Sequence, residues 1–108
     1  MEYLLAIVLY SSKDSREAEH VYALSRTFGN TFIASNLTPG EQWREAIARK
    51  ICEADIVLVV WSKNAAQSKE VDKELHIATI CDRKIVPVLL DYEPLPPLIS
   101  SWHAVNWR

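Results

Sequence analysis

The chain has 108 residues, of which 49% are apolar and 24% charged, the composition of an ordinary globular domain. This length suits one domain and excludes an array of several domains of common size. The formal net charge of −2 is too small to predict a surface for nucleic acid or for an anionic membrane, so neither is an expected partner.

The N-terminal sequence and the cysteines indicate the cellular compartment of the protein. Met1–Tyr3 lacks the basic segment of a signal peptide, and the apolar run Leu4–Tyr10 is far shorter than the ~20 residues that cross a bilayer. Cys52 and Cys81 lie in apolar helical patterns without paired Cys/His ligands, so we interpret them as small buried side chains and not as a disulfide. We therefore expect a reducing, cytoplasmic location without direct membrane contact.

Three short runs rich in branched residues predict strands: Leu4–Tyr10, Asp55–Trp61 and Lys84–Leu90. Each is apolar almost throughout, which is typical of a strand buried on both faces of a parallel sheet. Thr31–Ala34 and Ala104–Trp107 are shorter candidates for outer strands.

Helical patterns separate these runs. The first begins at Asp14, where Glu17 would complete a capping box, runs through Phe28, and ends at Gly29–Asn30. The second begins at Trp43, and the third begins near Asn64 or Ser68. Their apolar stripes consist of Trp43, Ile47, Ile51 and Ala54 in the second and of Val71, Leu75, Ala78 and Cys81 in the third.

Alternating strands and helices predict βαβ units joined by right-handed crossovers. The expected fold is α/β, a flavodoxin-like three-layer α/β/α sandwich with a central five-stranded parallel sheet. Asp91–Pro97, rich in proline, is expected to form an irregular connection. Ligands of such folds bind beyond the carboxyl ends of the strands, where the strand order switches direction. That rule directs attention to segments 11–14, 35–43 and 62–68.

These segments resemble the boxes of the Toll/interleukin receptor (TIR) domain family. Leu9–Asp14 is similar to the first box, in which a strand ends in an aromatic residue followed by small polar residues and an acid. Leu37–Trp43 is similar to the second, a Pro-Gly loop followed by a tryptophan. Ser62, Ser68 and Asp72–Leu75 resemble the third-helix region, where catalytic members carry a glutamate before an aliphatic residue. The order of these pieces along the whole chain makes the resemblance specific.

Catalytic TIR domains are NAD⁺ glycohydrolases or related transferases. The resemblance therefore implies that this chain cleaves the bond between nicotinamide and ribose, with NAD⁺ as its substrate and no cofactor. The glutamate of the motif is Glu74. On its helix Glu74 lies at the margin of the apolar stripe, where a carboxylate can be partly desolvated, with a raised pKa, and still reach a cleft. Without the resemblance, the same position is typical of a solvated helix-edge residue.

The resemblance also implies substrate-binding residues: Ser11, Ser12, Pro39, Gly40 and Trp43. The serines either hold ribose or phosphate oxygens or cap the first helix. The Pro-Gly loop either covers nicotinamide or docks a neighbouring TIR domain, and its residues also fit a helix cap. Trp43 fits the core equally well. The three histidines show no ligand spacing, so no metal is expected.

Two departures from the family pattern favour an alternative function. Glu70 stands where many catalytic members carry a tryptophan, which adds a carboxylate and removes a stacking surface. The family usually continues with one more helix, so we expect residues 1–108 to be a TIR domain without that helix, in a larger protein. The alternative is a non-catalytic adaptor that binds other TIR domains as a homo-oligomer or filament. Catalytic members also self-associate, and family analogy implies defence or cell-death signalling.

Other enzyme classes fit the sequence less well. A nucleoside deoxyribosyltransferase has a similar sheet and a glutamate that attacks an N-glycosidic carbon, but it would not explain the Pro-Gly box. A receiver domain needs an aspartate where Trp61–Ser62 stands. There is no GxGxxG, Walker or GxSxG motif.

Overall fold

The computed structural model describes residues 3–33 and 43–108, and only the backbone of residues 3, 4 and 43. Its strands are β1 (Tyr3–Leu9), β2 (Gly29–Ile33), β3 (Ile56–Trp61), β4 (Lys84–Leu89) and β5 (Val105–Asn106). Its helices are α1 (Ser15–Ser25), α2 (Trp43–Glu53), α3 (Lys63–Ala66) and α4 (Lys69–Ile80), with short 3-10 turns at Ser12–Asp14 and Pro97–Ile99.

All the strands pair in parallel, in the order β2-β1-β3-β4-β5, so the predicted flavodoxin-like sheet is confirmed. The interior position of β1 is visible in its register, in which Ile7 lies between Phe32 of β2 and Val57 of β3. The strand order switches direction at β1 and β3, and ligands of such folds bind beyond the carboxyl ends of the strands there.

The two faces of the sheet form two cores, since successive side chains of a strand point to opposite faces. Ile7 and Leu9 of β1 pack with α2 and α4, whereas Val8 packs with α1. Buried residues of the predicted helix stripes, among them Ile51 and Leu75, complete the first core. The sheet therefore has helices on both faces, as the three-layer prediction requires.

The first helix differs from its prediction. It begins at Ser15 after a 3-10 turn, the side chain of Asp14 makes no capping hydrogen bond, and the predicted capping box is wrong. The buried carboxylate of Asp14 instead accepts hydrogen bonds from Ser62 Oγ and from Asn64 Nδ2, the latter at 2.9 Å. The helix also ends earlier, at Ser25, which leaves Phe28 outside it and exposed.

The interpretation of the cysteines is also wrong. Cys52, near the end of α2, and Cys81, the C-cap of α4, form a disulfide with their Cα atoms 5.4 Å apart. Cys52 is exposed and not buried. Each residue lies at the C-terminal end of its helix, and the packing of α2 against α4 brings these two ends together.

The third helical pattern contains two helices, α3 and α4, separated at Gln67 and Ser68. Both predicted starting points are real, because Ser62 caps α3 and Ser68 caps α4 through their side-chain oxygens. No helix in the described part of the chain is both long and apolar enough to span a membrane.

Candidate active site

A cavity of about 190 Å³ lies beside β1, on the face that carries α2 and α4. Its lining combines apolar and polar side chains from five separate parts of the fold. Among the described residues these are Ile7, Val8, Leu9, Tyr10, Ser12, Phe32, Ile47, Ser68, Glu70 and Glu74. The cavity thus lies next to the point at which the strand order switches, where the topology predicts a ligand.

Glu74 places a carboxyl group in the wall of this cavity. Its neighbours on α4, Val71, Leu75 and Ala78, are buried, whereas Glu74 is half-buried, so its side chain lies at the edge of the core. Burial raises the pKa of Glu74 from 4.5 to about 7, and the negative charge of Glu70 adds to the effect. Glu74 is therefore divided between its neutral and ionised forms near neutral pH.

Tyr10 follows β1 and lines the same cavity. Burial raises the pKa of its phenol, and the charges of Glu19 and Glu74 raise it further, in that order. The phenol is therefore neutral at neutral pH and keeps its proton as a hydrogen-bond donor. Tyr10 thus gives the cavity an aromatic ring and a donor within electrostatic range of Glu74.

Glu70 lies one helical turn before Glu74 and also lines the cavity. Its carboxylate accepts a hydrogen bond from Arg44 Nη2 at 3.5 Å, which ties the start of α4 to the start of α2. Both side chains are substantially exposed, at 71% for Arg44 and 43% for Glu70. A pair this exposed contributes little to stability, so either side chain can exchange its partner at small cost.

The loop after β1 is held in place from the next strand. Ser11 is buried, its Oγ accepts a hydrogen bond from the backbone N–H of Lys13, and its carbonyl accepts one from Asp14. The contacts of Asp14 with Ser62 and Asn64 then fasten this loop to the end of β3 and to α3. The cluster fixes the position of Ser12, which faces the cavity.

The sequence-predicted site residues separate into three groups. Glu74 and Ser12 line the cavity, whereas Ser11 is absent from its described lining and caps the 3-10 turn. Pro39 and Gly40 lie outside the described residues. Trp43 begins α2, but its side chain lies outside the described part of the chain.

Sequence reasoning missed several cavity residues: Tyr10, Phe32, Ile47 and Ser68. The aromatic residue that ends the first box was a signal for Tyr10, and Ser68 belonged to a segment already singled out. Phe32 and Ile47 carried no signal, because each is one apolar residue in an apolar pattern. Glu70 was noticed only as a departure from the family.

The described residues contain no group of three or more His, Cys, Asp or Glu side chains that could hold a metal ion. A carboxyl group with a pKa near 7 against an apolar wall can accept hydrogen bonds from hydroxyl groups and stabilise a positive charge that develops beside it.

Comparison with solved structures supports the fold. The TIR domain of the Toll-related receptor TRR-2 from Hydra magnipapillata is similar over 94% of this chain and 82% of its own, with 24% identity and a TM-score of 0.81. The TIR domains of the activated Roq1 resistosome, which directly recognises the pathogen effector XopQ, are 26% identical with a TM-score of 0.71, over 86% of this chain and 60% of theirs.

A protein of another family shares the architecture. The 2-desoxiribosyltransferase from Leishmania mexicana is 13% identical, with a TM-score of 0.64 over 84% of this chain and 67% of its own, a likeness of fold alone. No curated protein matches the sequence. The family model that describes the TIR domain matches residues 7–108. Since this match covers nearly the whole chain, the protein belongs to the TIR domain family.

Proposed function

We propose that this TIR domain is an NAD⁺ glycohydrolase that cleaves the N-glycosidic bond between nicotinamide and ribose, with Glu74 as its catalytic residue. The observation that carries the proposal is the position of Glu74, a partly buried carboxyl group in the wall of a cavity beside the strand switch. NAD⁺ enters as a substrate and is consumed, so no resident cofactor is needed.

One carboxylate is enough for this reaction. Glycosides with an oxygen leaving group need an acid to protonate that oxygen. The nicotinamide of NAD⁺ carries a positive charge, so when the C–N bond breaks its electron pair neutralises the ring and no proton is required. The ribose carbon becomes an oxocarbenium-like cation, which ionised Glu74 stabilises. Water then adds to that carbon and its proton passes to the carboxylate.

The rest of the cavity suits a ribosyl-nicotinamide. The apolar wall of Phe32 and Ile47 offers a surface for the flat nicotinamide ring. Tyr10, Ser12 and Ser68 carry hydroxyl groups that can hydrogen-bond to the ribose. In this arrangement Tyr10 and the apolar wall replace the stacking surface that Glu70 does not provide.

Self-association is part of the proposal. One structural relative is the TIR domains of an activated resistosome. We expect this chain also to act in an assembly of TIR domains, in defence or cell-death signalling, so that activity rises with local concentration. The cytoplasm is the proposed location, since NAD⁺ is a coenzyme of the cell interior. The disulfide argues the other way, because disulfides are rare in the cytosol.

The test is nicotinamide release from NAD⁺ by concentrated protein, followed by chromatography, for wild type and Glu74→Gln. The substitution keeps the shape and removes the charge. The matched control is Glu45→Gln, the same change at an exposed position of α2 that is absent from the cavity lining. Release that disappears only in Glu74→Gln supports the proposal, and release that persists there refutes the role of Glu74.

The alternative is an adaptor that binds other TIR domains without catalysis. Glu70 favours it, because its carboxylate occupies the cavity wall where catalytic members carry an aromatic ring. Absence of release from wild type, including protein clustered by fusion to an oligomeric partner, would establish this alternative in place of the enzyme.

A further inference from the structure

A second, smaller cavity of about 90 Å³ adjoins the candidate active site. Ile47 of α2 and Glu70 and Glu74 of α4 line both cavities, so the two are neighbours. The second cavity lies between α2 and α4, and its lining includes two basic side chains that the first lacks, Arg44 and Lys73. The candidate active site is therefore adjacent to two basic side chains.

The size of the first cavity leaves part of the substrate outside it. Sites that enclose a small molecule usually measure roughly 300–1,000 Å³. The first cavity, at about 190 Å³, therefore accommodates the ribosyl-nicotinamide end of a dinucleotide better than the whole molecule. The diphosphate joins the ribose on the side away from the scissile bond, so it must lie at the mouth of this cavity or beyond.

The second cavity holds two basic side chains beside the carboxyl groups of Glu70 and Glu74, and the basic pair suits that diphosphate. The guanidinium of Arg44 has a planar set of donors that matches phosphate oxygens, and Lys73 supplies a second, point-like charge. Lys73 enters no ion pair within the described parts of the chain. Within those same parts Arg44 forms an ion pair with the partly exposed Glu70, at 3.5 Å, a contact that contributes little to stability.

We propose that Arg44 and Lys73 form a phosphate subsite that binds the diphosphate of the dinucleotide, and that Glu70 pairs with Arg44 when no substrate is bound. The inference rests on the proposed function and specifies its substrate class, which is a phosphorylated nicotinamide riboside and above all the dinucleotide. Glu70 then weakens the subsite in wild type, because its carboxylate competes with the phosphate oxygens for Arg44.

Three substrates share the scissile bond and the leaving group and differ in phosphate: NAD⁺, nicotinamide mononucleotide and nicotinamide riboside. The measurement is the ratio of kcat/KM for NAD⁺ to kcat/KM for the riboside. Hydrogen bonds to charged groups are stronger than neutral ones, and exposure to solvent weakens them, so each lost contact should lower the ratio about 10-fold. Arg44→Gln and Lys73→Gln should each lower this ratio by raising KM for NAD⁺. Their effect on kcat/KM for the mononucleotide should be intermediate between the effects on NAD⁺ and on the riboside.

Two further variants sharpen the test. Arg49→Gln removes an exposed charge from the same helix at a position absent from both cavity linings, and should leave the ratio unchanged. Glu70→Gln removes the competitor for Arg44 and should raise the ratio. Added salt should lower the wild-type ratio, because it screens phosphate contacts at an exposed site.

Equal effects of Arg44→Gln on NAD⁺ and on the riboside, or no effect on either, would overturn the subsite while leaving the glycohydrolase intact. If wild type cleaves none of the three substrates, the proposed function fails, and calorimetric titration decides the subsite separately. Arg44→Gln should then weaken binding of NAD⁺ about 10-fold relative to the riboside. Equal binding of the two ligands, or no binding of NAD⁺, would overturn the subsite as well.

Discussion

Glu74 should make the fold less stable as pH rises. Its pKa is raised from 4.5 to about 7 in the folded chain, first by burial and then by Glu70, and unfolding exposes the group to water again. Below pH 4.5 the carboxyl is protonated in both states, and its contribution to stability is fully present. As pH rises toward about 7, the unfolded chain loses this proton first, so the free energy of unfolding falls.

The size of the effect follows from the pKa shift. Each pKa unit corresponds to about 1.4 kcal/mol, so a shift from 4.5 to about 7 amounts to about 3 kcal/mol. This is an upper value, because Glu74 is only partly buried and the surrounding side chains can relax around its charge. Compared with a total stability of about 5–15 kcal/mol for a domain, the loss is large enough to measure.

The assay is urea unfolding of wild type and Glu74→Gln across this pH range. Other carboxyl groups titrate in both proteins, so the difference between the two free energies of unfolding isolates Glu74. Glu74→Gln should gain stability relative to wild type as pH rises from 4.5 through 7, by at most about 3 kcal/mol. Glu45→Gln, at an exposed position, should follow wild type throughout. Parallel curves for Glu74→Gln and wild type would refute a raised pKa and the partial burial on which it rests.

Three further substitutions test individual contacts. Cys52→Ser opens a disulfide across 29 residues and should lower the free energy of unfolding by about 3–4 kcal/mol in urea; reduction of wild type should give the same loss, and an unchanged midpoint would contradict the pairing. Ser62→Ala removes both a donor to the buried carboxylate of Asp14 and the cap of α3, and should cost at least about 1–3 kcal/mol in the same assay, whereas a neutral result would mean that water replaces the hydroxyl in both contacts. Glu70→Gln removes a like charge and should lower the pKa of Glu74, which a carboxyl titration by NMR would measure; an unmoved pKa would leave burial as the sole cause.

The sheet could be predicted from the sequence because its central strands are buried on both faces. Such strands are apolar almost throughout, so β1, β3 and β4 agree with their predicted runs to within one residue at each end. The two-residue β5 matches its prediction more loosely, because Val105 and Asn106 are exposed and carry little hydrophobic pattern. The strands could therefore be predicted because burial requires continuous apolar runs, more than because their residues favour strands.

Features that depend on long-range contacts could not be predicted. Asp14 matches a capping-box pattern locally, but its carboxylate is bound by Ser62 and Asn64, 48 and 50 residues away. The disulfide has the same origin, since Cys52 and Cys81 meet only when two helices pack side by side. In each case the local pattern was compatible with two structures, and tertiary packing determined which one formed.

The candidate site shows the same division. Ser12 could be placed near a cleft because it follows the carboxyl end of a predicted strand, and Glu74 because the family resemblance identified a glutamate at the margin of a helix stripe. The apolar wall could not, since Phe32 and Ile47 come from β2 and α2 and meet only in the folded chain. A resemblance therefore identifies the chemical group of a site more readily than the surface that encloses it.

The ionisation of Glu74 that lowers stability is the one that the proposed chemistry requires. A neutral carboxyl cannot stabilise the ribosyl cation by charge or accept the proton of the attacking water, so kcat/KM for NAD⁺ should rise with pH and level off above about 7. Glu70→Gln should move this rise to lower pH, because it removes the charge that helps to keep Glu74 protonated. A rate that falls as pH rises through 7 would mean that neutral Glu74 acts as an acid, and the mechanism would then need a different group to stabilise the cation. Stability and activity should therefore change in opposite directions over the same pH interval, as expected when one partly buried carboxyl group governs both.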